Sequence, residues 1–440
     1  MRVEAVTVLT AAALRVMSEE TATIGYVLLA GYATTGRSQA IYAFVMSWLF
    51  GALNPGMFPT VENATVLRYL VIAGGVASIV IQGAFARRWK RDRIFRMTLL
   101  LGVFLVTHSM LFSNQQTISI LKAILWGVTM ASIIVAWEDL SVGSRYVLAR
   151  RIYRTLILIA LVSVPLMLLD VGYLLNDRGF QGVLNHPQAL GIVMALLGAW
   201  AIPSWLADRR PRWSLAVSAL AVSMIVLSGA RTGGFALAIG VTVMVIARSR
   251  GRLVALIRYV VRSRVVLLLV TVGTVFVLTG GVLEYIEKRP EITVDRSTAA
   301  ELYVRSRGVL ILPMIRNILE DPIVGIGFGV PSSLEDVAKT DKLLGIPTSA
   351  AVEKGVMPLA VLEEVGVVGL GLVGIWLWMG FTRSVRNGPS AVAVIVTTLA
   401  VNFGEAILFS PGGTGLLFMV AIGWAISWSM RGRAMALGTR

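Results

Sequence analysis

The chain has 440 residues, of which 56% are hydrophobic and 15% charged, and its mean hydropathy is +0.79. No water-soluble fold hides that much apolar surface, so the composition excludes a soluble domain and points to an integral membrane protein. Forty Lys and Arg against 24 Asp and Glu give a formal charge of +16, while cysteine is absent and histidine occurs only as His108 and His186; a disulfide framework and a thiolate metal site are excluded, and a multi-histidine zinc or iron centre is not expected.

A membrane span needs about 20 apolar residues, with roughly 17 to 25 tolerated. The first 55 residues contain three short stretches, near 4–17, 22–36 and 38–54, interrupted by Arg15, Glu19, Glu20 and Gly36-Arg37. Glu4 spoils the positive start that a signal peptide needs, and no clean cleavage site follows, so the first stretch reads as a retained or interfacial helix. Further spans are predicted near 66–86, 94–113, 117–136, 153–169, 187–206, 213–229, 233–247, 265–283, 357–382, 389–409 and 413–430. The expectation is an all-α polytopic membrane protein of about 12 to 14 transmembrane helices. It divides into an N-terminal helix bundle (1–283), an external loop domain with short helices (284–356) and C-terminal helices with a tail (357–440).

Loops rich in Lys and Arg stay in the cytoplasm. The basic clusters are 87–93, Arg145 with Arg150, Arg151 and Arg154, then 209–212, 248–264, 383–386 and the tail from Arg431, and an even number of spans separates each from the next. This parity predicts that both termini are cytoplasmic and that the connections 54–65, 170–182, 228–233, 284–355 and 410–415 face outward. The long segment 284–355 carries nine basic and eleven acidic residues, so the positive surplus belongs to the cytoplasmic loops. The basic balance is a topogenic signal and implies no nucleic-acid partner, though the 248–264 loop could meet anionic lipid.

Charged groups at or inside a membrane are costly and usually functional. Four places hold them. In NDRGFQGVLNHPQALG (176–191), Arg178 and His186 lie in an outer loop leading into a helix, which His186 would cap. In LSGARTGGFALAIG (227–240), Arg231 occupies a turn flanked by glycines that permit close backbone approach. Arg305, Arg307 and Arg316 precede EDPIVGIGFG, where Pro322 ends a helix and Gly325, Gly327 and Gly329 make a permissive turn. The fourth place is acidic: Glu353, Glu363, Glu364 and, deep in a later helix, Glu405. An arginine fork stays ionised and grips phosphate oxygens two at a time, so several converging arginines predict a diphosphate ligand. The alternative for each alone is a snorkelling side chain at a helix end.

In order and spacing these stretches resemble the O-antigen ligase and O-antigen polymerase superfamily of bacterial polysaccharide membrane enzymes. The resemblance covers roughly 155–430 and rests on Arg178 to Gln188, the S-x-R-T turn at Ser228 to Thr232, Arg307 fifteen residues before Pro322 with G-x-G-x-G after it, and E-x-G-x-x-G at Glu364 to Gly369. It implies a glycosyltransferase, without cofactor or metal, that takes a glycan from an undecaprenyl-diphosphate carrier on the outer face of the cytoplasmic membrane and joins it to a glycan or lipid acceptor. The diphosphate would fall to Arg231, Arg307 and Arg178, with Arg305, Glu364, Glu405 and His186 in support. Where ligases of the group carry a histidine followed by asparagine, this chain has Gly355 and Val356. Glu353 could serve as the base instead, or pair with Lys354 as a solvated loop carboxylate; the departure favours a polymerase or another polysaccharide-transferring relative over lipid A core ligation. Two other classes remain open, a transporter or flippase for lipid-linked glycan and a non-catalytic component working with other polysaccharide-assembly proteins.

Overall fold

The computed structural model describes residues 2–61, 63–173, 179–207, 211–249, 311–333, 339–340, 347–349 and 354–427. The predicted span 265–283, the 251–264 stretch of the basic loop and the tail from Arg431 lie outside the described residues.

The N-terminal stretches fold as α1 (Arg2–Met17), α2 (Glu19–Thr34) and α3 (Arg37–Gly51). Ser18 separates the first two: its hydroxyl accepts from the Thr21 backbone N–H while the Thr21 hydroxyl accepts from the Ser18 N–H, and Glu19 and Glu20 place negative charge in the first turn. There follow α4 (Ala64–Ile81), α5 (Ala84–Trp89), α6 (Arg93–Phe112), α7 (Gln116–Asp139) and α8 (Val142–Ser163), then α9 (Pro187–Ala207), α10 (Pro211–Ser228) and α11 (Arg231–Ser249). After a helical segment at 311–320 (α12) come α13 (Met357–Asn387), α14 (Pro389–Val401) and α15 (Gly415–Ser427). A small antiparallel pair, Lys339–Thr340 with Pro347–Ser349, is the only sheet among the described residues.

Seven helices, α4, α6, α7, α8, α9, α11 and α13, are long and apolar enough to cross a membrane, and α10, α14 and α15 are shorter apolar helices. The protein is a multi-pass, helical membrane protein.

The basic clusters meet at one end of the bundle. Arg88 pairs with Asp139 and Glu138, Arg383 with Asp92 and Glu138, and Arg37 reaches Asp139 at 3.5 Å. Arg145 donates to the Leu140, Glu138 and Ser427 carbonyls. Helix ends from α3, α5, α6, α7, α8, α13 and α15 are thus tied into one polar layer, here called the basic end. Two expectations change. The cluster Arg145 to Arg154 does not form a loop; it occupies the first turns of α8, because long arginine side chains can leave the apolar zone while their backbone stays helical. The span expected at 389–409 stops at Val401, so Glu405 lies in the turn that follows, not deep in a helix.

At the opposite, far end the chain is held by backbone pairing. Asn54 donates to the Val171 and Gly182 carbonyls, its own N–H bonds the Val183 carbonyl, and Leu53 bridges Leu184, joining the 52–63 connection to the 164–186 connection. Each such bond removes an unpaired amide from an apolar surrounding, where it would be costly.

Candidate functional site

The far end contains a broken helix. Gly366 in α13 has φ 63 and ψ −170, and a Cβ there would overlap the Ile323 carbonyl, so glycine alone suits the position. In an unbroken helix Val367 N–H would bond the Glu363 carbonyl. Instead it bonds the Pro322 carbonyl at 3.1 Å, while the freed carbonyls of Glu363 and Glu364 accept Ile326 and Gly327 N–H, both at 2.9 Å. The 322–330 turn repairs the break in this way. Its Gly325, Gly327 and Gly329 all have positive φ, which lets its amides and carbonyls face two sides.

The carbonyl side meets α6 and α7. His108 Nε2 donates to the Val324 carbonyl at 2.7 Å, Asn114 N–H to Ile326, the Ser119 hydroxyl to Phe328 and Lys122 Nζ to Gly329 at 2.8 Å. The turn is therefore a polar ribbon held between the α6–α7 tip and the break in α13, with its backbone groups satisfied internally as a membrane environment demands.

Two adjacent carboxylates complete the arrangement. Glu363 is 0% exposed and accepts from Lys354 Nζ at 2.7 Å, Asn317 Nδ2 at 2.6 Å and the Ser332 hydroxyl at 3.0 Å. Glu364 lies 3.1 Å from Lys354 Nζ and accepts the Gly329 N–H at 2.8 Å. Lys122, Lys354, Glu363 and Glu364 balance in formal charge, which keeps the burial of four ionisable groups affordable. Both acids accept from donors on the ribbon, α12 and Lys354, and so hold the turn in place.

A second group of motif residues packs beside it. His186 Nδ1 accepts the Gln188 N–H at 3.1 Å and so caps α9. Phe180 N–H bonds the Leu227 carbonyl, Gly179 packs on the Ser228 carbonyl, and Gly233 lies on the Gly191 carbonyl. The 179–191 stretch is thereby seated on the 227–233 stretch. Arg231 is half-buried and opens α11, so the turn consists of Gly229 and Ala230 and the arginine is already helical.

The two groups join through the turn after α14. Gly404 packs against Thr232, and the Asn402 carbonyl accepts Met357 N–H at 2.9 Å, at the start of α13. The Asn402 side chain accepts Ile407 and Leu408 N–H, which fixes the turn around the buried Glu405.

Of the residues singled out from sequence, Arg231, Glu364, Glu405 and His186 are at this end. Arg178, Arg305, Arg307 and Glu353 lie outside the described residues. Arg316 is exposed on α12 beside Glu320. Lys354 is buried against Glu363 and Glu364, and its alternative pairing with Glu353 lies outside the described residues. Sequence reading passed over Lys122 and Asn317; Lys122 had a signal, a lone cation in the apolar run 117–136. Among the described residues no group of three His, Asp or Glu side chains could hold a metal ion. Two interhelical voids lie between apolar side chains, one lined by residues that include Ile94, Trp376, Ile395 and Ile422 and the other by Trp137, Trp200 and Leu417 among others.

No protein-family model matches the chain, and comparison with curated proteins finds no match.

Proposed function

We propose that the protein is a membrane glycosyltransferase of the polymerase or ligase type. It would take undecaprenyl-diphosphate-linked oligosaccharide on the outer face of a bacterial cytoplasmic membrane and transfer it to a glycan or lipid acceptor. The observation that carries this reading is convergence. Four stretches separated widely in sequence, 179–191, 228–234, 322–330 and 364–369, meet at the end of the bundle opposite the arginine-rich end. Arginine-rich ends face the cytoplasm, so the far end would face outward, with both termini inside and about 12 to 14 crossings.

In this reading Arg231, with Arg307 and Arg178, stabilises the negative charge that develops on the diphosphate as the sugar departs, in surroundings of low dielectric. Arg178 precedes Gly179 in sequence, and Gly179 sits on the Ser228 carbonyl three residues from Arg231. Glu353, next to the anchored Lys354, is the proposed base. The segment 284–356 is the proposed external domain.

The break in α13 favours a second reading, because transporters form substrate sites at discontinuous helices. Here, however, the freed backbone groups bond to the 322–330 turn and are not left for a substrate, and α13 is the only described helix with such an interruption.

The test is Arg231→Ala in a strain that needs this gene for surface polysaccharide, at matched protein level. The reading expects loss of long-chain glycan and accumulation of the lipid-linked donor; unchanged long-chain glycan would overturn it. Accumulated donor on the cytoplasmic side would favour the transporter.

A further inference from the structure

The helix α12, residues 311–320, leads into the 322–330 turn and presents three distinct faces. Ile311 and Met314 are buried against Val356 and Ala360 at the start of α13. Asn317, beside them, donates from Nδ2 to the Glu363 carboxylate and to the Ser332 carbonyl. Arg316 and Glu320 form a charged face: they pair at 3.8 Å across one turn and both are exposed.

The third face is apolar and exposed. Leu312, Ile315 and Leu319 follow one another at helical spacing, so they line one stripe, and they are 65%, 41% and 76% exposed. Ile323, in the turn that follows, extends the stripe and is 65% exposed. A helix on a soluble surface turns its single apolar stripe to the core. α12 has two: one meets α13, and the other faces outward.

The place of α12 in the bundle decides what the outward stripe meets. Both α6 and the part of α13 beyond its break, 367–387, run between the basic end and the far end for about the 20 residues that cross a membrane, so Phe112 and Val367 mark the far edge of the hydrocarbon. Their last turns at that edge are apolar and exposed, with Met110, Leu111 and Phe112 on α6 and Val367 and Val368 on α13. The 322–330 turn is bonded to both, through Asn114 N–H to the Ile326 carbonyl and Val367 N–H to the Pro322 carbonyl. Ile323 therefore lies level with the membrane-facing side chains of these two helices, and the stripe of α12 continues from it. An amphipathic helix at this depth buries its apolar side about 5–10 Å into the boundary of headgroups and acyl chains and leaves its charged side in water.

We propose that α12 is an interfacial helix docked on the bilayer leaflet at the far end, with Leu312, Ile315, Leu319 and Ile323 among lipid acyl chains and Arg316 and Glu320 at the headgroups. The bilayer surface then helps to set the position of Asn317 and, through it, of the Glu363 carboxylate beside the break in α13. The proposal does not depend on the transferase reading, and it stands whichever side of the membrane the far end faces.

The experiment uses the full chain, which has no native cysteine, with the single replacements Leu312→Cys, Ile315→Cys, Leu319→Cys and Ile323→Cys on the stripe and Glu320→Cys on the charged face. Each variant is labelled with bimane and reconstituted in phosphatidylcholine nanodiscs. Two quenchers are compared, iodide in the water and a phosphatidylcholine that carries a nitroxide near the top of one acyl chain. The stripe labels are expected to be quenched by the nitroxide lipid and shielded from iodide, and the label at position 320 to show the opposite order. Stripe labels quenched by iodide as strongly as the label at 320 would place the face in water and overturn the proposal. Stripe labels shielded from both quenchers would show that protein covers the face, either the 284–310 chain outside the described residues or a second copy, and would overturn it equally. The four stripe positions are read independently, so a variant that does not fold leaves the others to decide.

Discussion

The Lys354 ammonium lies 2.7 Å from the fully buried Glu363 carboxylate and 3.1 Å from that of Glu364, and so holds two adjacent acids at the break of a membrane helix. Removing one partner of a buried pair leaves the other charge uncompensated, at a cost of about 3–5 kcal/mol.

Lys354→Met is therefore expected to lower the melting temperature of the detergent-solubilised protein strongly. Glu363→Gln should cost less, because Asn317 and Ser332 keep an acceptor and Lys354 keeps Glu364. Combining the two should recover part of the loss, since contacting residues are not additive. Melting curves of the three variants measure the coupling; a Lys354→Met protein as stable as wild type would show that the pair does not hold this end together.

Gly366→Ala is expected to damage the same region by a different route. The residue would need a positive-φ, extended-ψ conformation that is essentially confined to glycine and costs about 1–3 kcal/mol for a side-chain-bearing residue, and its Cβ would meet the Ile323 carbonyl. The 322–330 turn would be pushed off the Glu363 and Glu364 carbonyls. Gly374→Ala, in the same helix with open space at its Cβ, is the control; it should be neutral or stabilising by up to about 1 kcal/mol. Size-exclusion profiles and melting temperatures separate the two outcomes.

The helices were legible from sequence because burial in a membrane demands long apolar runs, and the far-end stretches were legible because charges and glycines stand out against such runs. What escaped depends on three-dimensional exchange of partners. Lys354 reads in sequence as the neighbour of Glu353, but its ammonium is claimed by two acids nine and ten residues on. The E-x-G spacing marked a turn without revealing that a helix resumes beyond it, since the break at Gly366 is repaired by amides from 326 and 327. Glu405 was placed inside a helix because hydropathy continues past Val401, whereas Asn402 ends α14 by accepting Ile407 and Leu408 N–H with its side chain.

The absence of native cysteine makes orientation directly measurable. Lys90 is exposed at the basic end and Met57 is exposed in the connection that faces the far end. With intact cells, a membrane-impermeant maleimide is expected to label Met57→Cys and to reach Lys90→Cys only after permeabilisation. The reverse pattern would overturn the outward placement of the far end, and with it the transferase reading.

Two of the four acids first singled out, Glu363 and Glu364, are held by donors at this end. Glu363 accepts from Lys354, Asn317 and Ser332, and Glu364 accepts the Gly329 amide beside Lys354, so a change at either is expected to lower activity only as far as it lowers stability. Glu353 is the proposed base, and a base acts on the rate of the chemical step: general-base assistance contributes about 10²–10⁴-fold. Glu353→Gln is accordingly expected to cut transfer by about 10²-fold or more, with carrier binding and melting temperature close to wild type. Glu364→Gln should lose melting temperature and transfer together. Rates and donor affinities for both variants, measured on purified protein with a lipid-linked oligosaccharide, distinguish a group that moves a proton from one that holds the 322–330 turn in place; full activity of Glu353→Gln would remove it as the base.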